Sequence, residues 1–155
     1  LPPYHLSTEL MLKISLAKKV KKAIIVFDAG FVEKLTAFEG MREYNAMTVL
    51  VNLNAKVHVL ESIEKTSFFP KPNCQSVVVA IDFNIKENSK NFYLFLKELF
   101  RYKNKDLTRA LKQSLPILEE GKIISKTNFN DLGCAQLKVY SLTVEELLDV
   151  YKKLN

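Results

Sequence analysis

Two short runs of apolar, mostly β-branched residues, Ala23-Ile24-Ile25-Val26-Phe27 and Val77-Val78-Val79-Ala80-Ile81, constrain this chain more than any other feature. Their length suits a strand and falls far short of the ~20 apolar residues that a membrane-crossing helix needs. Around the first run the apolar period becomes helical, with Leu10, Met11 and Ile14 before it and Phe31, Val32 and Leu35 after it. Met47, Leu50, Val51 and Leu53 mark a further helix. Helices alternating with strands are the pattern of an α/β fold. A continuous apolar run such as 23–27 predicts a strand buried on both faces of a parallel sheet, with the helices around Phe31 and Met47 covering it. Ser7 is placed to cap a helix over residues 8–17.

Alternation at Val57 and Val59 predicts a second strand over 56–63, and 76–83 follows a proline-bearing loop as a third. That pair reads as an antiparallel hairpin at one sheet edge. After Asn84 the texture changes: Phe92, Phe95, Leu96, Leu99 and Phe100 recur at helical spacing, and Leu107, Leu111 and Leu115 continue until Pro116 is expected to stop the helix. Thr143 followed by Glu146 is a capping box, Leu142 with Leu147 a hydrophobic staple, and Leu147, Leu148, Tyr151 and Leu154 an inward face. The reading is two domains, 1–84 with helices on a sheet and 85–155 all helical, divided near Asn84 to Asn88.

Charge points to an anionic partner. The net charge is +6, and between Lys86 and Lys112 eight basic side chains face three acidic ones. Lys97, Arg101 and Lys105 are four apart and share one helical face if the helix runs on through Asn104. Other chemistries lack their residues. Gly30, Gly40, Gly121 and Gly133 form no phosphate-cradling loop, and neither His5 nor His58 is close in sequence to a nucleophile. Cys74 and Cys134 match no zinc or disulfide spacing, so they read as buried thiols of a reducing cytoplasm, and no metal is expected. The first residues, Leu1-Pro2-Pro3-Tyr4-His5, lack the charged start and apolar middle of a signal peptide, so a cytoplasmic protein with no membrane partner is expected.

Two aromatic-proline segments stand out, Pro2-Pro3-Tyr4 and Ser67-Phe68-Phe69-Pro70-Lys71-Pro72, in each of which proline stiffens the backbone around an aromatic ring. Together with Ser76-Val77-Val78-Val79, Phe100-Arg101-Tyr102-Lys103-Asn104-Lys105 and Ala110-Leu111, in this order and spacing, they resemble the ribosomal RNA adenine dimethyltransferase family, the KsgA type and above all its archaeal members. The resemblance covers nearly the whole chain and matches the C-terminal part of such a protein. It implies the C-terminal part of a Rossmann-like S-adenosylmethionine methyltransferase domain followed by a small all-α domain. It also implies S-adenosylmethionine-dependent dimethylation of adenine N6 in small-subunit ribosomal RNA, during ribosome biogenesis and without a metal. In the family the first motif stacks its aromatic ring on a flipped-out adenine, and backbone and side-chain acceptors orient the N6 amine. Carried over residue by residue, Pro3 and Tyr4 take the first motif and Phe68 the second stacking ring. Lys71, Lys97, Arg101, Lys103, Lys105, Arg109 and Lys112 become the RNA contacts.

The departures are specific. Leu1 stands where the family has the first motif's asparagine, so either the motif is degenerate or the asparagine precedes Leu1 in a longer parent with one extra proline; Asp28-Ala29-Gly30 replaces a Gln-Lys-Glu-like segment, and Asn45-Ala46-Met47-Thr48 replaces Gly-Arg-Leu-Ser. The family's glycine-rich donor loop and acidic ribose-binding residue have no counterpart in these residues, so most of the S-adenosylmethionine site is expected to be absent from the chain. A non-catalytic RNA-binding or ribosome-assembly factor of the same fold is therefore the second reading.

Overall fold

The computed structural model describes residues 3–17, 19–86, 90–129 and 132–155, with Tyr4 described by its backbone alone. By contact the chain forms two compact units, 1–37 with 50–88 and 38–49 with 89–155.

The first unit opens with a 3-10 turn, Tyr4–Leu6, that runs directly into α1, Ser7–Ser15. Leu6 is the N-cap, with helical backbone and no side-chain hydrogen bond, and Ser7 lies inside the helix with its hydroxyl buried and without a partner among the described residues. The expected Ser7 cap fails because the turn feeds straight into the helix. No extended residue precedes it whose side chain could fold back on the first N–H groups. β1, Lys22–Asp28, is followed at once by α2, Ala29–Thr36. The Asp28 carboxylate accepts from the Phe31 N–H at 2.9 Å, so Asp28 serves as the N-cap of α2.

β2, Ala55–Ile63, and β3, Ser76–Phe83, complete a three-stranded sheet of order β1-β3-β2. The hairpin expected from 56–63 and 76–83 is present, with a bulge between Val59 and Glu61. The parallel arrangement expected for β1 is not: β1 pairs antiparallel with β3, Lys22 opposite Asp82 and Asp28 opposite Ser76. Nor is β1 buried on both faces. Ala23, Ile25 and Phe27 share one face with the buried Val77, Val79 and Ile81, while Ile24 on the other is 67% exposed. Among the described residues β1 pairs with β3 alone, and an apolar run records hydrophobicity without recording which neighbours or covering layers a strand acquires. α2 covers the first face, with the Phe27 and Phe31 rings 4.9 Å apart. On the opposite face Asp82 pairs with Lys22 at 3.1 Å, and His58 lies 3.5 Å from the same carboxylate.

The second unit begins before the expected boundary. Residues 38–49 group with the C-terminal segment, and the chain passes between units inside α3, Ala46–Asn54. Of the expected boundary at Asn84 to Asn88, residues 87 and 88 lie outside the described residues. Asn45 caps α3, its side-chain oxygen accepting from Met47 N–H at 2.8 Å and Thr48 N–H at 3.3 Å, while Thr48 Oγ1 accepts from Asn45 N–H. Tyr44 is fully buried; its hydroxyl donates to Leu142 O at 3.0 Å and its ring meets Phe100 edge-on at 5.5 Å.

The C-terminal helices are α4, Lys90–Phe100, α5, Leu107–Glu120, and α6, Val144–Leu154. The Thr143–Glu146 capping box forms in both directions, at 3.2 and 2.8 Å, and Leu142 and Leu147 are both fully buried. Tyr151 of α6 packs on Phe92 and Phe95 of α4, centroids 5.1 and 5.3 Å away. Val150 is buried in α6 and Leu148 is only half-buried, which shifts the inward face by a fraction of a turn. Pro116 does not end α5 as expected; it sits inside the helix. A mid-helix proline costs about 3 kcal/mol. The buried stripe Leu107, Ala110, Leu111, Ser114 and Leu118 spans it, so burial on both sides holds the helix together. Cys74 and Cys134 are free thiols and half-exposed, not buried, since each lies in a loop; partial burial pushes the Cys134 thiol pKa up. No helix among the described residues is long and apolar enough to cross a membrane, and no cluster among them could hold a metal ion.

Candidate nucleic-acid interface

The sheet register fixes one end of the first unit. β1 ends at Asp28, β2 ends at Ile63, and both pair with Ser76, where β3 begins. The loop 64–75 therefore lies at the carboxyl ends of β1 and β2, the side of an open α/β sheet where ligands bind. It is tied down at both ends. Ala29 N–H donates to Gln75 O at 2.9 Å, and Lys65 Nζ donates to Asn73 O. A 3-10 turn, Lys65–Ser67, leads into Phe68, and the Phe69-Pro70 peptide is cis. Phe68 keeps most of its surface buried, whereas its neighbour Phe69 has a relative exposure of 103% and Lys71 is exposed. Sequence reasoning chose between these rings by resemblance alone; their different burial is set by the loop.

Pro3 is exposed, and its carbonyl accepts from Leu6 N–H at 2.9 Å to close the first 3-10 turn. Leu1 and Pro2 lie outside the described residues.

The basic residues of 97–112 do not share one helical face. α4 ends at Phe100, and i+3 turns carry the chain from Arg101 to Lys105, because Asp106 pairs with Lys138 in an isolated bridge before α5 starts. Lys97 lies exposed on α4. Arg101 is bound to Glu98 at 2.9 Å, and that hydrogen bond holds the guanidinium pKa above its ordinary value. Lys103 Nζ donates to Arg42 O at 2.7 Å. Lys105 donates to Gln113 Oε1 at 2.9 Å, with its Nζ 5.7 Å from the Tyr102 ring centroid. Arg109 is 3.6 Å from Asp106, and Lys112 is exposed on α5. Lys71, Lys97 and Lys112 thus have no ion pair among the described residues. Sequence reasoning missed Arg42 and Lys138, which lie outside the basic stretch and join Lys103 only through the fold.

A family model described as ribosomal RNA adenine dimethylase matches residues 2–155. The chain belongs to the ribosomal RNA adenine dimethylase family. Among similar proteins is a ribosomal RNA small subunit methyltransferase A of Ureaplasma parvum, 30% identical over 160 residues, with 99% of this chain and 55% of that protein covered. A Thermococcus gammatolerans protein described as a probable ribosomal RNA small subunit methyltransferase A is 29% identical over 149 residues, covering 96% of this chain and 53% of its own length. The chain spans about half the length of the curated relatives it matches. The crystal structure of a dimethyladenosine transferase from Plasmodium falciparum superposes with a TM-score of 0.82 at 23% identity, covering 99% of this chain and 65% of that one. That of the 23S rRNA methyltransferase ErmE gives 0.58 at 13% identity over 99% of this chain and 62% of that one. These likenesses establish an α/β fold shared with that dimethyladenosine transferase and, more distantly, with ErmE.

Proposed function

We propose that this chain is the C-terminal portion of an S-adenosylmethionine-dependent enzyme that dimethylates adenine N6 in small-subunit ribosomal RNA during ribosome biogenesis in the cytoplasm. Residues 1–37 with 50–88 are the C-terminal part of its Rossmann-like catalytic domain, and residues 89–155 form most of a small all-α RNA-binding domain. The observation that carries this reading is the family match over residues 2–155, supported by the position of the Phe68 loop at the carboxyl ends of β1 and β2.

The chain's own residues supply base and backbone recognition. Adenine N6 is a poor nucleophile because its lone pair is delocalised into the ring. Acceptors that orient its hydrogens and an aromatic face that holds the base raise the fraction of reactive geometries. Phe68 and Tyr4 hold the flipped adenine by stacking, with the Pro3 backbone fixing the Tyr4 turn. Lys71, Lys97, Arg101, Lys103, Lys105, Arg109 and Lys112 contact phosphates, Arg101 and Arg109 after exchanging their carboxylate partners. Affinity then rests on backbone charge while the rings select the base.

S-adenosylmethionine supplies an activated methyl group when bound. The residues present do not by themselves fit it. Its cradle needs glycines that let backbone approach the ligand, but Gly40 and Gly133 stand with nothing within 4 Å of an added Cβ, Gly30 lies in α2 and Gly121 caps α5. The non-catalytic reading is favoured by one observation, Leu1 in place of the amine-orienting asparagine. Incubating the full-length protein with S-adenosylmethionine and small-subunit ribosomal RNA, then quantifying N6,N6-dimethyladenosine by mass spectrometry, separates the two. Dimethyladenosine above background supports the enzyme. RNA binding with none selects the assembly factor.

A further inference from the structure

A polar cleft of about 600 Å3 opens in the second unit, lined by Gly40, Arg42, Lys103, Asn104, Lys138 and Tyr140 among others. Three chain segments far apart in sequence meet there and are joined by backbone hydrogen bonds. Gly40 N–H donates to Tyr140 O at 2.8 Å, and Tyr140 N–H to Lys103 O at 3.1 Å. Gly40 has φ +86, a left-handed conformation that disfavours a side chain. Lys103 Nζ spends one hydrogen on Arg42 O and keeps two for a ligand. Lys138 Nζ sits 5.9 Å over the half-buried Tyr140 ring, and the exposed Asn104 amide adds a donor and an acceptor.

No carboxylate among the described residues lines this cleft, although Glu39 and Glu43 lie within three positions of Arg42 in sequence. Neither Arg42 nor Lys138 has an ion pair among the described residues. Three cations on a hydrogen-bonded frame, with Met41 and the Tyr140 ring as its apolar lining and no carboxylate among the lining residues, match a phosphate-rich ligand. The volume exceeds what one inorganic anion needs.

We infer that this cleft is a second RNA-backbone contact, in which Arg42, Lys103 and Lys138 hold phosphates of a structured RNA. The inference rests on the RNA-binding reading above and adds residues that the basic stretch 86–112 does not contain.

The test measures binding of a fluorescent RNA hairpin to the full-length protein and to Arg42→Gln/Lys138→Gln between about 50 and 200 mM salt. Each lost phosphate contact removes ~0.7–0.9 from the slope of log affinity on log salt. The double variant should lose about 1.4–1.8, so that its affinity deficit shrinks about 7- to 12-fold across that range. Thermal unfolding run alongside checks the fold, and Arg42→Gln alone, with about half the slope change, stands in should the double variant melt early. A slope unaltered by these variants but lowered by Lys97→Gln/Lys112→Gln overturns the cleft and leaves the RNA reading intact. Absence of hairpin binding by the unaltered protein overturns both. Tighter, Arg42-dependent binding of poly-glutamate than of the hairpin assigns the cleft to an acidic polypeptide and overturns the RNA contact.

Discussion

Phe68 and Phe69 are adjacent rings in unlike environments, which makes their truncation a sharp test of the proposed base-binding role. A fully buried phenylalanine costs about 3–5 kcal/mol when cut to alanine. With a relative exposure of 103%, Phe69 has no burial to lose, so Phe69→Ala should leave stability within ~0.5 kcal/mol. Phe68 keeps most of its surface buried, and scaling the cost by buried surface gives ~2–4.5 kcal/mol for Phe68→Ala. Stacking on one base is worth a further ~1–3 kcal/mol, which Phe68→Ala should remove from methyl transfer as a fall in kcat/KM of about 5- to 150-fold. RNA affinity should change much less, because phosphate contacts dominate it. Urea unfolding, hairpin affinity and adenine methylation are measured on both variants of the full-length protein, with activity expressed per folded molecule. Unaltered methylation in Phe68→Ala would assign that ring to packing alone. A large loss confined to Phe69→Ala would show that the exposed neighbour holds the base and that the family correspondence is displaced by one residue.

Tyr44→Phe should cost ~1–3 kcal/mol by leaving the Leu142 carbonyl without its donor, read as a lowered urea midpoint. Burial raises the Tyr44 pKa above its ordinary value of 10.0, so folding favours the protonated phenol. Its contribution is complete below about pH 10 and is lost as pH rises toward the folded value, so the gap between wild type and Tyr44→Phe should narrow above about pH 10. A constant gap up to pH 11 would refute the buried neutral phenol. Pro116→Ala should stabilise the protein by up to ~3 kcal/mol in urea unfolding, since it restores an N–H and removes a ring from the interior of α5; destabilisation would mean that the proline is required there. Calorimetry of the 155-residue chain with S-adenosylmethionine should show no binding tighter than about 1 mM, roughly −4.1 kcal/mol; micromolar binding would place a donor site in these residues.

Features whose causes are local in sequence were legible before the fold was known. The Thr143–Glu146 box is a four-residue pattern with its own hydrogen bonds, and β3 occupies the 76–83 expected from its valine run. The helices around Phe31, Met47 and Phe92 follow from apolar residues at helical spacing. The family resemblance came from motifs such as Phe68-Phe69-Pro70-Lys71-Pro72, whose order along the chain needs no coordinates.

What escaped the sequence depends on partners distant along the chain. The run 23–27 reads the same whether its strand lies parallel or antiparallel to its neighbour, so only pairing with β3 showed the direction and only the packing of α2 showed which face is covered. Ser7 has a capping side chain, but the preceding turn left it buried inside α1. Pro116 breaks helices in isolation; the buried stripe on both sides of it kept α5 whole. Lys97, Arg101 and Lys105 have helical spacing, yet the chain leaves the helix at Phe100. Lys103 instead meets Arg42, sixty-one positions away, and Tyr44 meets Leu142 across ninety-eight. Spacing fixes neighbours within one turn or one strand. Contacts that close long loops depend on the burial free energy of the assembled core, which no local window contains.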